Sequence, residues 1–293
     1  MSFRDGLPLL RLNAAPRTGL IPHFRMGQSI PKLIHQTFGN RDLPPEIARN
    51  IARLRLLNPG WTHYFYDEDD CIAFIHNEYG PEVLDYYVRI NREYGAARAD
   101  LFRYLLMYRL GGVYLDLKSS ASRPFDEILE PGDRYLLSHW HNDGGATFAG
   151  WGKHDELQDM PDGEYQQWFI ICAPGHPFLR AVIENVLGNI DHYIPGLHRT
   201  GAHAVWRVTG PIAYTLAIKP LLPTAPHRIV DAEGELGLIY NIFNKLGPQG
   251  HKQVFKAHYA ELKSSMIEVG PVKNAIFSAY KAIAKFYKAL VRG

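Results

Sequence analysis

Four charged residues lie close enough along the chain to act on one ligand, namely Asp100 and Arg103, then Asp116 and Lys118. Asp100 and Arg103 are three apart, the spacing that puts two side chains on one face of a helix. Asp116 and Lys118 close a short run of β-branched and aromatic residues, Val113-Tyr114-Leu115, that reads as a buried strand. If the helix packs beside that strand, the four side chains converge on one small volume. A guanidinium fork and an ammonium together suit a diphosphate. The plainer alternative is a surface pair between Asp100 and Arg103, contributing under ~1 kcal/mol, with Asp116 capping the turn that follows.

The elements that must position these residues are legible around them. Apolar residues at 97, 101, 104, 105 and 108 predict a helix with one buried stripe. Gly111 and Gly112 then stop it, since glycine takes the left-handed conformation that closes a helix. Upstream, Lys32 to Phe38 reads as a strand, and Pro44-Pro45-Glu46 opens a helix in the manner proline favours. Ile47, Ile51, Leu54 and Leu57 line its inner face. Trp61 to Tyr66 is a second strand, and Asp67 to Asp70 supply acids to the start of a further helix. Strand, helix, strand, helix predicts an α/β fold with a mostly parallel sheet and right-handed crossovers. Ligands in such sheets bind outside the carboxyl ends of the strands. His35, Gln36, Thr37 and Phe38 fall at such an end, either facing a ligand or satisfied within the fold.

Tyr135 to Trp140 is another strand. From His141 to Gln167 periodicity is lost, and a long irregular loop in a compact domain usually has a function. Trp140, His141, Asp143 and Trp151 combine flat aromatic faces with polar groups that suit sugar hydroxyls, so an acceptor site is expected here. A histidine-rich metal site is the rival, although the spacings match no common ligand pattern. Phe169 to Cys172 is a buried strand, and Phe178, Val182, Ile183, Val186 and Leu187 face inward from the helix after it. Thr209-Gly210-Pro211 opens a last helix whose N–H groups could meet an anion.

At this point the sequence resembles a known family. Ala97-x-x-Asp100-x-x-Arg103-Tyr104, the glycine pair and Tyr114-Leu115-Asp116 resemble the core of the DXD-type glycosyltransferases of the Och1-like, sugar-binding-region group, family 32. Ile30 to Phe38, Asn58-Pro59-Gly60-Trp61, Ala173-Pro174-Gly175-His176-Pro177 and Thr209-Gly210-Pro211 fit the same resemblance. It implies a GT-A-like fold and transfer of a hexose, with retention, from a UDP- or GDP-linked donor to a glycan or lipid-linked acceptor in polysaccharide or glycan biosynthesis. It further implies a donor site of His35, Gln36, Thr37, Phe38, Asp100, Arg103, Gly111, Gly112, Asp116, Lys118 and His258. Asp116 and Lys118 would be the catalytic pair, and Phe38 would stack on the base, worth about 1–3 kcal/mol where such stacking occurs. One departure stands out. The family motif is Asp-x-Asp, and this chain has Asp116-Leu117-Lys118. The replaced aspartate is the one expected to hold Mn²⁺ or Mg²⁺, which leaves Asp116 as the single candidate ligand. A charged lysine cannot ligate a metal, but it can lie against the diphosphate and supply positive charge itself.

Composition sets the outer bounds. The 293 residues, 46% hydrophobic and 21% charged, suit an ordinary globular protein. A net charge of +2 gives no reason to expect nucleic acid. Cys71 and Cys172 read as buried free thiols, which fits a reducing compartment, and no targeting run is legible, so a cytoplasmic protein is expected. Residues 1–28 read as an irregular extension, 29–268 as the catalytic domain and 269–293 as a basic amphipathic helix. Lys273, Lys281, Lys285, Lys288 and Arg292 with interleaved aromatics give that helix the character of a membrane-surface element, or of a helix docked on the domain. Two rival functions are open at this stage. One is a metal-dependent nuclease of the acid and Asp-x-Lys type; the other is a non-catalytic binder of sugar nucleotides or glycans.

Overall fold

The structure is a computed structural model that describes residues 15–243 and 261–273, together with 275 and 278. In chain order it runs β1 (Leu33–Thr37), α1 (Pro45–Leu57), β2 (Thr62–Tyr66), α2 (Glu68–Tyr79), α3 (Pro81–Arg89), α4 (Gly95–Leu110), β3 (Gly112–Leu115), β4 (Ser120–Ala121), α5 (Phe125–Ile128) and β5 (Tyr135–Leu137). It continues through β6 (Phe169–Cys172), α6 (Pro177–His192), α7 (Pro195–His198), α8 (Ala202–Val208), α9 (Pro211–Ile218), β7 (Arg228–Ile229) and β8 (Leu238–Ile239).

Among the described residues the main sheet has six strands in the order β2-β1-β3-β6-β5-β7. β1 lies parallel to β2 and β3, and β5 parallel to β7, as the strand–helix alternation predicts. β6 runs antiparallel to both of its neighbours, so the sheet is mixed. The long irregular segment between β5 and β6 has no crossover helix to carry the chain back to the starting edge, and β6 therefore enters from the opposite end. Side chains alternate across the sheet as the two-residue period requires. Val113, Leu115, Phe169 and Ile171 join one core with Leu54 of α1 and Phe125 of α5. Tyr114, Ile170 and Cys172 join the other, with α2, α3, α4, α6, α8 and α9.

α4 differs from the single stripe expected of it. Eleven of its residues are buried: 97, 98 and every position from 100 to 108. It lies within the larger core, with α2, α3 and α6 around it and β3 beside it. Its charged residues are therefore buried with its leucines. The turn that ends it must be glycine. Gly111 and Gly112 have φ of 66° and 100°, and a Cβ on Gly112 would lie 2.6 Å from the Leu33 carbonyl oxygen. α2 begins with a capping box in which Asp67 accepts from the Asp70 N–H and Asp70 returns the bond to the Asp67 N–H, a device worth about 1 kcal/mol.

Both cysteines are buried and free. The described part of the N-terminal extension is irregular and packs on the domain: the Arg17 N–H donates to Glu184 of α6 and the Gly27 N–H to Pro174, each at 2.8 Å. His258 lies outside the described residues, as does the expected C-terminal helix apart from positions 269–273, 275 and 278. At its start, Lys273 donates to the Asp191 carbonyl at the end of α6. No helix among the described residues is long and apolar enough to cross a membrane.

Candidate active site

The carboxyl end of β3 opens into a cleft of about 1650 Å³. Asp116 is carried there by the sheet itself. Its N–H donates to the Trp168 carbonyl at 2.8 Å, continuing the β3–β6 ladder one residue past the Leu115–Phe169 pair. From the other side the Gln36 amide donates to the Asp116 carbonyl at 3.4 Å. The position of the carboxylate is thus set by strands on both sides.

Arg103 reaches it from α4. Its Nη1 donates to Asp116 Oδ1 at 3.0 Å and to the Gln167 carbonyl at 2.7 Å, while Nη2 donates to Asp100 Oδ1 at 2.5 Å. Asp100 also accepts from Thr209 Oγ1 at 2.8 Å and from Gln167 Nε2 at 3.2 Å. On the outer side Lys118 Nζ donates to Asp116 Oδ2 at 2.8 Å and lies 4.5 Å from the centre of the Tyr240 ring. Two further bonds hold that arrangement: the Ile242 N–H donates to the Lys118 carbonyl at 2.8 Å, and Ser119 Oγ to the Tyr240 carbonyl at 2.7 Å. The contacts run in a chain from Asp100 through Arg103 and Asp116 to Lys118, and Asp116 is the most exposed of the four.

Burial raises the Asp100 pKa, outweighing the pull of Arg103. Burial would lower that of Arg103, but Asp116, Tyr114 and Asp100 overcome it and keep the guanidinium charged. Lys118 is similar: burial works against its charge, and Asp116 with Tyr240 holds its pKa above the ordinary value. Both cations face a partly open carboxylate, whose side chain is 21% exposed, against 2% for Asp100.

Beside the charged cluster the cleft wall is aromatic. Trp140, Trp151, Trp168, Trp206 and Tyr240 border the cleft with His154 and Glu164. Glu164 is nearly buried, and its two oxygens take separate partners, Trp140 Nε1 at 2.8 Å and His154 Nε2 at 2.7 Å. The irregular loop is fixed by its own backbone: the Gly150 N–H donates to Asn142 and the Glu164 N–H to Gly152. Such a surface presents flat faces and an acceptor-rich edge to a polyhydroxylated ligand.

The positions singled out in the sequence divide accordingly. Thr37, Phe38, Asp100, Arg103, Asp116, Lys118, Trp140 and Trp151 border the cleft. His35 does not. It is fully buried in the sheet, with Nε2 3.1 Å from the Gly111 carbonyl and Nδ1 3.2 Å from Tyr66 Oη. Gln36 is buried too, bonded to His63 and backing Asp116 rather than facing a ligand. Gly111 and Gly112 stand at the entry to β3, the end remote from Asp116, so their role is backbone conformation and not donor contact. His141 and Asp143 turn away to solvent, His141 pairing with Asp231 and Asp143 being 99% exposed. At the Thr209-Gly210-Pro211 corner the N–H groups of Thr209 and Gly210 are spent on the Val205 carbonyl, and Pro211 borders the cleft at the start of α9. Gln167, Thr209 and Tyr240 are the functional partners that sequence reading missed in these roles. Their contacts join residues 67 to 122 positions apart in the chain, which no local pattern records.

These residues do not fit a divalent cation. Each Asp116 oxygen faces a cationic donor, and Asp100 is saturated by Arg103, Thr209 and Gln167. Among the described residues there is no group of three His, Cys, Asp or Glu side chains placed to hold a metal. The nuclease alternative loses its first acid as well, since Asp100 is buried on a helix and spent on structure.

Comparison with known proteins bears on this cleft. The family model described as the glycosyltransferase sugar-binding region containing the DXD motif matches residues 44–133, which include Asp100, Arg103, Asp116 and Lys118. An inositol phosphoceramide mannosyltransferase of Schizosaccharomyces pombe is 24% identical over 210 residues, 70% of this chain and 57% of the relative. A mannosyl phosphorylinositol ceramide synthase of Saccharomyces cerevisiae is 34% identical over 103 residues, 35% of this chain and 27% of the relative. An initiation-specific alpha-1,6-mannosyltransferase of Candida albicans is 29% identical over 167 residues, 53% of this chain and 42% of the relative. The chain thus spans from about a quarter to somewhat over half of the length of these curated relatives. Among solved structures, the PaToxG glycosyltransferase superposes with a TM-score of 0.49 at 14% identity over 88% of each chain, too loose a likeness to argue from. Within the matched residues the position of the motif's second aspartate is held by lysine, Lys118.

Proposed function

We propose that this chain is a retaining GT-A-type glycosyltransferase that moves a hexose from a GDP- or UDP-linked donor to a glycan or lipid-linked acceptor. Mannose is the first choice of sugar, because the named relatives include mannosyltransferases. The observation that carries the reading is the convergence of Asp100, Arg103, Asp116 and Lys118 at the carboxyl end of β3, in a cleft that is also lined by aromatic side chains. The lipid-linked option draws on the relatives named for inositol phosphoceramide.

In this reading the donor's diphosphate lies along Lys118, while Asp116 orients the donor sugar or its ribose. Arg103 fixes Asp116 from within, and Asp100 fixes Arg103. The bond between the anomeric carbon and the diphosphate oxygen breaks with its electron pair going to that oxygen. The acceptor hydroxyl oxygen forms the new bond to the anomeric carbon, and its proton passes to the departing diphosphate. Charge developing on the leaving group is met by a fixed cation in a partly dry site, where such stabilisation is strongest. Trp140 and Trp151 offer stacking faces to the acceptor, and Glu164 an edge for its hydroxyls.

The test is transfer from GDP-mannose and UDP-glucose, followed as release of nucleoside diphosphate in the presence of mannosides and of inositol phosphoceramide. Activity with one of these donors, lost in an Asp116→Asn variant that still unfolds cooperatively, is the expected result. Release that is as fast in Asp116→Asn would discard the assignment. Lys118 itself favours one second reading, a binder without turnover, which would retain the donor through repeated acceptor additions and release no product.

A further inference from the structure

We propose that Lys118 takes the place of a divalent cation, so that this site binds the donor's diphosphate without metal. The inference rests on the nucleotide-sugar reading above and specifies its chemistry.

Charge is the first argument. An Asp-x-Asp pair with one dication carries no net charge, and neither does Asp116 with the Lys118 ammonium. The lysine therefore preserves the electrostatic balance that the motif reaches with a metal, using one covalently attached group. Geometry is the second. Lys118 Nζ is 2.8 Å from Asp116 Oδ2, and Arg103 Nη1 is 3.0 Å from Oδ1. These are the two oxygens through which a cation would enter, and each already faces a positive donor. A dication would have to displace a fixed ammonium to reach them.

Immobility is the third argument. The Lys118 side chain is 13% exposed, lies over the Tyr240 ring and is anchored by its own carbonyl to the Ile242 N–H. It still borders the cleft, and an ammonium that donates to Asp116 has further protons to give. A lysine held in this way is a point charge ready for phosphate oxygens. Among the described residues the neighbouring groups supply no substitute metal site: Asp100 is spent on Arg103, Thr209 and Gln167, and Glu164 on Trp140 and His154.

The experiment is calorimetric titration of GDP and of UDP into the full chain, once in EDTA and once in excess Mn²⁺. The preferred nucleotide should bind in EDTA with an affinity within about threefold of that in Mn²⁺. Lys118→Ala, its fold checked by thermal unfolding, should lose about 10- to 100-fold in EDTA, the scale of one charge-assisted contact. Lys118→Asp should bind only when Mn²⁺ is added. Wild-type binding that appears only with Mn²⁺ overturns the inference and leaves the nucleotide-sugar reading standing, as does a Lys118→Ala variant that binds like wild type in EDTA. If neither nucleotide binds in either buffer, the nucleotide-sugar reading falls and the inference falls with it. The wild-type comparison decides the matter even if a variant does not fold.

Discussion

At the scale of single residues the site is a relay of alternating charge in which inner members serve outer ones. Arg103 is buried with two carboxylates, and removing one partner of such a group leaves the others uncompensated, typically at a cost of about 3–5 kcal/mol. Arg103→Ala and Asp100→Ala are therefore expected to unfold at markedly lower denaturant concentrations than wild type. Asp116→Asn removes the counter-charge of Arg103 and Lys118 as well, but it keeps the side chain's shape at a more exposed position and should lose less than either. Equal midpoints for all three in urea titrations would show that the inner pair is not structural. The four charged residues were legible in the sequence because their spacing is local: three apart on a helix, two apart beyond a strand. Their division of labour was not. Asp100 reads as a ligand group until Thr209 and Gln167, from distant segments, take its oxygens.

At the scale of elements, the turn from α4 into β3 aims the whole site. Gly112→Ala would force a side chain against the Leu33 carbonyl at a φ of 100°, and strain of this kind costs roughly 1–3 kcal/mol. Lowered thermal stability together with reduced transfer is expected, the second because β3 delivers Asp116; a variant that melts like wild type would contradict it. The glycine pair announced a helix stop in the sequence, and the structure gives it that role. The irregular segment after β5 was legible only as a loop with aromatics. Which of its side chains turn inward depends on backbone bonds such as Gly150 to Asn142, so Trp140 and Trp151 reach the cleft while His141 and Asp143 do not. Within it, Glu164→Gln should raise the KM for acceptor while leaving nucleotide affinity unchanged, since the side chain lies on the aromatic wall, where acceptor contact is proposed. An unchanged acceptor KM in steady-state kinetics would remove Glu164 from that role. The direction of β6 was hidden for a similar reason: Phe169 to Cys172 reads the same forwards and backwards as an apolar run.

At the scale of the whole molecule, buried histidines tie stability to pH. Burial lowers the pKa of His35, His63, His176 and His198 from 6.5 to about 4. Between those values the unfolded chain binds protons that the folded chain refuses, so stability rises with pH across that window. The contribution is fully present above 6.5 and is lost as the pH falls toward 4. The melting temperature should accordingly drop as the pH is lowered from about 6.5 toward 4, and His35→Gln should lessen the slope. A flat profile over that range would mean that these rings are protonated in the native state.

Four of the chain's five tryptophans, Trp140, Trp151, Trp168 and Trp206, border one cleft; Trp61 packs with Phe125 elsewhere. Light emitted by the native protein therefore originates mostly where substrates are proposed to meet. Filling the cleft should change its intensity or colour without any attached dye, and a stopped-flow fluorimeter could then time the arrival of nucleotide and of acceptor one after the other.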